Sequence, residues 1–515
     1  MALPAWDPQR PGSLPVRPAG PSCPGAPLPS HAPPTPAVVD YSRKWLVMAA
    51  IAMGIFLGTI DGSIVNAALP TLESEFGTSF ASVQWIVLGY LLVLATLTLG
   101  VGRLGDMTGK RPIYTAGFAV FTVASVMCGL APGVGWLIGF RIVQGIGSAM
   151  IFALGFAILT EAFPPSERGK ALGLAGSIVS IGVAIGPALG GLIIDSLSWR
   201  WIFLVNLPVG IVGTWTAWRF VPDVAPPGGE RFDFAGAGAF CLALLSMMLG
   251  LTMAQERGFG DPLVVGLVVV AAVAVTGFIA IERRVEHPML DLTLFGNRLL
   301  SANLFTGWLV FVALAGFLVL APFYLQDVLG YDTRTMGLLL AAAPISLGIV
   351  SPISGMFSDR IGPRPVLVAG LVVLVVGYLG LTTLSLDTTA ARWLLLVIPV
   401  GVGIGVFQSP NNSAVMGAVP SHRLGVTSGM LTITRIIGQI VGVTVLGTLW
   451  AARVSAYSGI ADPTKADPAS QVHGFTDTVT VAAAALVLAL AVAIWGLVTE
   501  RRRAASPAPG EQGVY

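Results

Sequence analysis

Two charges sit where lipid should forbid them. Asp61 lies in TIDGSIVNAALP, Thr59 to Pro70, the end of an apolar run that begins at Trp45. Arg141 lies in FRIVQGIGSAM, residues 140–150, inside another such run. A charge at the centre of a spanning helix costs about 2.5–3.5 kcal/mol on insertion scales, and it reads by default as part of a substrate or ion path. Burial raises a carboxylate pKa and a nearby guanidinium lowers it. A carboxylate whose surroundings alternate between those states takes a proton on one side of a membrane and releases it on the other. Asp61 is therefore the candidate proton carrier and Arg141 the group that resets it. A static pair that only ties two helices together would use the same two residues. Gln144 shares the helical face of Arg141, three residues on. Asp61 is the only acidic residue well inside a run, since Glu161, Asp195 and Glu256 fall at run ends.

Other chemistries find little support. The three cysteines (Cys23, Cys128, Cys241) and four histidines (His31, His287, His422, His473) show no disulfide framework and no metal-ligand spacing. GDMTGK and SERGKA contain Gly-Lys but lack the spacing of a phosphate-binding loop, so neither an enzyme nor an ATP-driven machine is expected. The expected driving force is an ion gradient, with the proton as coupling ion and no cofactor or metal.

The chain is 515 residues long, 55% hydrophobic and 10% charged, against about 25% charged for a soluble domain. This composition marks an all-α polytopic membrane protein. Fourteen transmembrane helices are predicted, at 45–69, 81–102, 112–131, 135–160, 169–195, 201–221, 233–254, 262–282, 299–325, 334–357, 365–385, 393–418, 424–450 and 477–499. Of 28 Lys and Arg residues, twenty fall on the side of the N-terminus and six on the other, with Arg141 and Arg435 inside runs. That bias places both termini in the cytoplasm. Residues 1–40 hold 12 of the 36 prolines and no apolar leader segment, and read as a disordered cytoplasmic tail.

GRLGDMTGKR (102–111) and GMFSDRIGPR (355–364) share the spacing G-x-x-x-D-x-x-G-x-R, one after helix 2 and one after helix 10. An offset of eight helices makes the two halves parallel repeats, a known transporter plan. The expected organisation is an N-terminal six-helix half over 41–221, inserted helices 7–8 with a cytoplasmic linker over 222–297, a C-terminal six-helix half over 298–500 and a cytoplasmic tail over 501–515.

These turns resemble the cytoplasmic signature of the major facilitator superfamily, and the chain resembles its fourteen-spanner drug:proton antiporter family over most of residues 45–450. The resemblance implies a major facilitator fold and a conformation-sensitive gate built from Gly102, Arg103, Asp106, Gly109, Arg111, Asp359 and Arg364. FRIVQGIGSAM is similar to the family's R-x-x-Q-G-x-G pattern in helix 4. TIDGSIVNAALP resembles the family's helix 1 signature, with Asn66 five residues after Asp61. GVAIGPALGG (182–191) resembles the motif that distinguishes antiporters from importers. Physically, Gly182, Gly186 and Gly190 make a flat face for close helix approach, Pro187 removes a backbone bond, and Gly191 adds a further small residue. SWRWIFLVNLPVG (198–210) resembles the start of the family's helix 6 and reads as a marker, with Trp199 and Trp201 at the lipid interface and Asn206 shaping the helix.

The C-terminal half offers FQSPNNSAV, where Pro410 is expected to interrupt helix 12, and TSGMLTITRIIGQ, which places Arg435 on helix 13. Asn66, Gln144, Gln408, Asn411, Asn412 and Arg435 are the candidate substrate-cavity residues. Family members that handle dicationic drugs commonly carry another carboxylate in helix 10 or 13. Here helix 10 has none before Asp359 and helix 13 has an Arg, which favours neutral, zwitterionic or anionic amphiphiles. Trp85, Tyr90, Phe311 and Tyr324 could meet flat hydrophobic ligands, lipid or each other. The expected partners are an amphiphilic small molecule, protons and the bilayer, with no nucleic acid, and the expected working unit is a monomer. A transporter of one metabolite on the same scaffold, and a membrane sensor that transports nothing, remain as competing readings.

Overall fold

The computed structural model describes residues 41–164, 167–222, 233–285, 295–419 and 424–505, and expectations for the tails and linkers fall outside these residues. Every described regular element is helical, as a solvent without hydrogen-bonding groups demands of a spanning backbone. Helix 1 is Lys44–Phe76, helix 2 Phe80–Thr108, helix 3 Lys110–Gly129, helix 4 Val134–Ala162 and helix 5 Arg168–Ser196. Helix 6 comes in two pieces, Trp201–Leu204 and Asn206–Phe220, followed by helix 7, Phe234–Arg257, and helix 8, Pro262–Glu282. Helix 9 is Arg298–Phe323 with a terminal π-turn, Tyr324–Val328. Helix 10 is Thr333–Leu340 and Ala342–Ile361, helix 11 Pro363–Leu381 and helix 12 Ala390–Met416. Helix 13 is Leu424–Val441, a π-turn Gly442–Leu446 and Gly447–Ser458, and helix 14 is Pro468–Ala505. Thirteen of these are long and apolar enough to cross a bilayer, and helix 5, whose described apolar stretch is Ile181–Ser196, completes fourteen.

Several helices outrun their predicted ends, because hydropathy registers only the part of a helix that needs lipid. Helix 1 continues through Pro70 to a left-handed cap at Gly77 (φ 57°), and helix 14 begins at Pro468. Helix 12 runs unbroken through Pro410, contrary to the expected interruption. The missing N–H of Pro410 leaves the Val406 carbonyl without its helical donor, and the Ser354 hydroxyl of helix 10 donates to it at 2.8 Å. Such re-satisfaction is how spanning helices tolerate proline.

Because the helices alternate in direction, the end at which helix 1 starts, here called proximal, also carries the 102–111 and 355–364 turns. The opposite end is distal. Helix 4 packs on helices 1, 2 and 3, helix 1 on 5 and 6, and helix 3 on 6. Helix 12 packs on 9, 10 and 11, helix 9 on 13 and 14, and helix 11 on 14. Adding eight to each number of the first scheme gives the second. Side chains join the two halves toward the distal end. Gln84 donates to the Val443 carbonyl at 3.3 Å, Phe80 stacks edge-on to Phe323 and Trp450, and Thr464 donates to Glu73. Helices 7 and 8 pack on each other, and helix 7 lies against helices 2 and 13, where Thr448 donates to the Leu251 carbonyl. The inserted pair thus borders the seam between the halves.

The repeated turns share one backbone feature. Gly109 (φ 97°, ψ 140°) and Gly362 (φ 86°, ψ 155°) occupy the same positive-φ region, which is open essentially to glycine alone. Arg111 donates to the Trp218 carbonyl at the end of helix 6 at 2.5 Å. Arg364, in the equivalent place, pairs with Glu500 in helix 14 at 2.5 Å. Arg111 and Arg364 of the expected gate therefore tie helices within their own half. Lys44–Glu167 and Lys110–Glu161 do likewise, at 2.5 and 2.6 Å. The side chains of Arg103, Asp106 and Asp359 lie outside those described. Gly362→Ala should lower stability by about 1–3 kcal/mol, although nothing lies within 4 Å of the added Cβ. Gly102→Ala, equally free of neighbours but inside helix 2, should not. Thermal unfolding of both purified variants measures the difference, and equal melting curves would remove the strain argument.

Candidate functional site

Asp61 and Arg141 meet. Arg141 Nη1 lies 2.5 Å from Asp61 Oδ2, with the two residues 1% and 0% exposed. Asp61 Oδ1 accepts from Gln144 Nε2 at 2.8 Å and from Asn206 Nδ2 at 3.0 Å. The guanidinium has further partners. Nη1 donates to Gln144 Oε1 at 2.7 Å, Nε donates to the Ile86 carbonyl at 3.1 Å, and the Tyr90 ring lies 4.2 Å from it. Around this centre Gln144 donates to Ser125 Oγ at 2.8 Å, and Tyr90 and Ser148 share a hydrogen bond of 2.6 Å. Helices 1, 2, 3, 4 and 6 thus converge on one carboxylate.

Local sequence explains the convergence. Gly145 and Gly147 let helix 4 approach the backbones of helices 2 and 3, since a Cβ at Gly145 would meet the Tyr90 carbonyl and one at Gly147 the Phe121 amide. That approach brings Arg141 and Gln144 within reach of the neighbouring helices. Helix 6 breaks at Val205, and its second piece starts with Asn206, whose side chain is 2% exposed and turned to Asp61. A buried pair of this kind holds only when its remaining donors and acceptors are met, and here the carboxylate has three donors.

Several expectations change here. Gln144 belongs to the ion-pair network and is 0% exposed, so it does not line an open cavity in this conformation. Asn206 is a direct partner of Asp61 and more than a family marker; the available signal was an amide in an otherwise apolar run. Trp199 is buried against Phe76 and Phe203 rather than set at the lipid interface, while Trp201 is exposed. Tyr90 is committed to Arg141 and Ser148. Tyr324 stacks between Trp393 and Phe475 and donates to the Ser385 carbonyl, which makes it core. Asn66 is half-buried, and its Oδ1 has no described partner.

Helix 5 carries its glycines on two faces. A Cβ at Gly182, Gly186 or Gly190 would collide with Thr59, Ser63 or Ile64 of helix 1, the residues that bracket Asp61. The Ser63 hydroxyl donates to the Gly182 carbonyl at 3.2 Å. On the other face, Gly191 and the Pro187 carbonyl abut Gly337 of helix 10, in the opposite half. One helix therefore touches both the carboxylate-bearing helix and the partner half.

In the C-terminal half, Arg435 donates to Asn412 and lies over the Phe311 ring. Asn411 is buried beside Gly307 of helix 9 with its Oδ1 unpartnered, and Gln408 is half-buried. Asn412 and Arg435 are thus brought together, while Asn411 turns to helix 9. Among the described residues, no group of His, Cys, Asp and Glu could hold a metal ion.

Asn206→Ala should lower stability by about 1–3 kcal/mol, the cost of removing a donor from a buried charged acceptor, and should impair any activity that uses Asp61. Unchanged melting and activity would place Asn206 outside the network. Gly186→Leu should block assembly or movement, since overpacking a tight contact costs about 1–3 kcal/mol. A fully active variant would show that this face is free.

Residues 51–443 match the family described as Major Facilitator Superfamily. The chain is 34% identical over 412 residues to the multidrug resistance protein Stp of Mycobacterium tuberculosis, covering 80% of this chain and 76% of that one. It is 30% identical to the tetracenomycin C resistance and export protein of Streptomyces glaucescens, covering 82% and 78%. It is 31% identical to the riboflavin transporter RibZ of Clostridioides difficile, covering 79% and 89%. Its fold is similar to that of a bacterial homolog of the lysosomal transporter Spinster, with a TM-score of 0.63 at 17% identity over 88% of this chain and 97% of that one. With its fourteen helices, paired halves and these relatives, the chain belongs to the major facilitator superfamily, in its multidrug efflux family.

Proposed function

We propose that the protein is a secondary active exporter of amphiphilic drugs or antibiotics, driven by proton antiport and working by alternating access. The observation that carries this reading is how Asp61 is held. An ionised Asp61 binds Arg141 through charge and hydrogen bonding. A protonated Asp61 loses the charge, while Arg141 keeps the Gln144 and Ile86 oxygens and the Tyr90 face. The two protonation states then favour different placements of helices 1 and 4, and an equilibrium shifts only as far as such differential interactions allow. Movement of helix 1 reaches the opposite half through helix 5, whose glycines touch Thr59 and Ser63 on one side and helix 10 on the other.

The Lys and Arg distribution supports a cytoplasmic proximal face and a cell-membrane location. On that orientation the described contacts between the halves hold the outer side closed. The names of the Stp and tetracenomycin relatives support outward drug transport. A potential of 100 mV supplies about 2.3 kcal/mol per charge moved, so one or two protons support a useful gradient. One observation favours a second reading, a proton-coupled transporter of a single metabolite: the similarity to a protein named as a riboflavin transporter. Whether expressing cells exclude or accumulate the solute separates the two.

Asp61→Asn nearly preserves the side chain's shape and removes its ability to ionise. In proteoliposomes it should abolish uphill transport and substrate-driven proton flux while downhill exchange continues. Wild-type transport should collapse when an uncoupler removes the gradient. A variant that still concentrates substrate with normal proton coupling would end the carrier role of Asp61.

A further inference from the structure

The molecule carries a second arginine within a spanning helix, and its bonding differs from that of the first. Arg141 is neutralised by a carboxylate. Arg435 has an amide and a ring: it donates to Asn412 of helix 12, and its guanidinium sits 5.3 Å from the centroid of Phe311 on helix 9. Its Nε is buried without a hydrogen-bond partner, and no carboxylate among the described residues pairs with it.

Position makes an arginine with no carboxylate partner among the described residues harder to explain as packing. Arg435 is eleven residues beyond Leu424 and Phe311 thirteen beyond Arg298, so they lie about 16 and 20 Å along their helices. The group faces the proximal half of the bundle, since Asn412 is four residues from the end of helix 12 at Met416. Gln408 and Gln439, each four residues from Asn412 and Arg435, share their faces and are half-buried, as is Trp308, three residues before Phe311. If the only task were to join helices 12 and 13, a neutral amide at 435 would do it without the cost of an unpaired charge. A guanidinium offers five donors in a planar fork suited to acidic oxygens and stacks on aromatic faces.

We propose that Arg435, with Asn412 and Phe311, is an anchor for an acidic group on a flat aromatic substrate, a carboxylate, sulfonate or ionised phenol carried on a ring system. The acidic oxygens take the free guanidinium donors, and the rings lie along Phe311 and Trp308. The inference rests on the transport reading above for the occupant being cargo, and it narrows the cargo from amphiphiles in general to acidic aromatics.

The full-length protein in lipid nanodiscs, titrated with 2-anthracenecarboxylate and with 2-anthracenemethanol at neutral pH, provides the test by fluorescence. The wild type should bind the carboxylate about tenfold tighter than the alcohol, the scale of one charge-assisted contact. Arg435→Gln should erase that difference. Asn412→Asp supplies the anion that Arg435 lacks, so it should also erase the preference while keeping the fold, which covers failure of the first variant to fold. A wild type that binds the carboxylate no tighter than the alcohol, or binds neither, overturns the proposal, as does a folded Asn412→Asp protein that retains the preference. No gradient enters this measurement. Loss of uphill export with the preference intact would remove the exporter reading alone, and export of neutral amphiphiles without the preference would remove this site alone.

Discussion

A carboxylate cannot stay ionised in a dry helical bundle unless every lone pair it exposes is answered. That requirement at Asp61 governs the N-terminal half. Arg141, Gln144 and Asn206 supply the donors, and each arrives on a helix whose path must allow it. Helix 4 comes close because it carries glycine where it crosses helices 2 and 3. Helix 6 breaks one residue before Asn206. Breaking such a pair by removing one partner costs about 3–5 kcal/mol, so the helices that meet here are held as one block. On the proposed reading, a change in the charge state of this centre loosens the block and shifts the surfaces it presents.

Helix 5 is the principal such surface. Its glycines receive the Thr59, Ser63 and Ile64 side chains of helix 1 near Asp61, and on the other face backbone meets backbone at Gly191 and Gly337 of helix 10 across the seam. The contact with helix 10, between flat backbones without interlocking side chains, is suited to sliding or rocking, since no large knob has to leave its hole. The proximal ion pairs and Arg111 and Arg364 of the repeated turns, by contrast, act within their own halves. They brace each half, and on the proposed reading the seam between the halves moves.

The two halves repeat each other in packing and diverge in charge. Helix pairs in one half map onto pairs in the other by an offset of eight, and Gly109 and Gly362 share the same rare backbone geometry. Yet the N-terminal half buries a compensated pair, whereas the C-terminal half holds an arginine backed by an amide and a ring. On the proposed reading this divides the labour, with coupling in the first half and recognition in the second, joined by helices 1, 5 and 10.

The sequence by itself determined the membrane class, the fourteen helices, the parallel repeat and the two residues at the centre. Those features follow from local rules: run length against bilayer thickness, and the cost of an intramembrane charge that makes Asp61 and Arg141 stand out wherever they lie. Sequence also identified Arg435, with no acid in helix 13 and none in helix 10 before Asp359. It could not assign partners, because a hydrogen bond between helices depends on crossing angle and depth, which no single segment encodes. Hence Gln144 appeared as a cavity residue and Asn206 as a marker, and Tyr90 and Tyr324 as possible ligand contacts. Pro410 read as an interruption because the donor that rescues Val406, Ser354, lies on another helix. Whether a polar group in lipid is a site, a strut or a repair is decided by what faces it, and only tertiary structure supplies that.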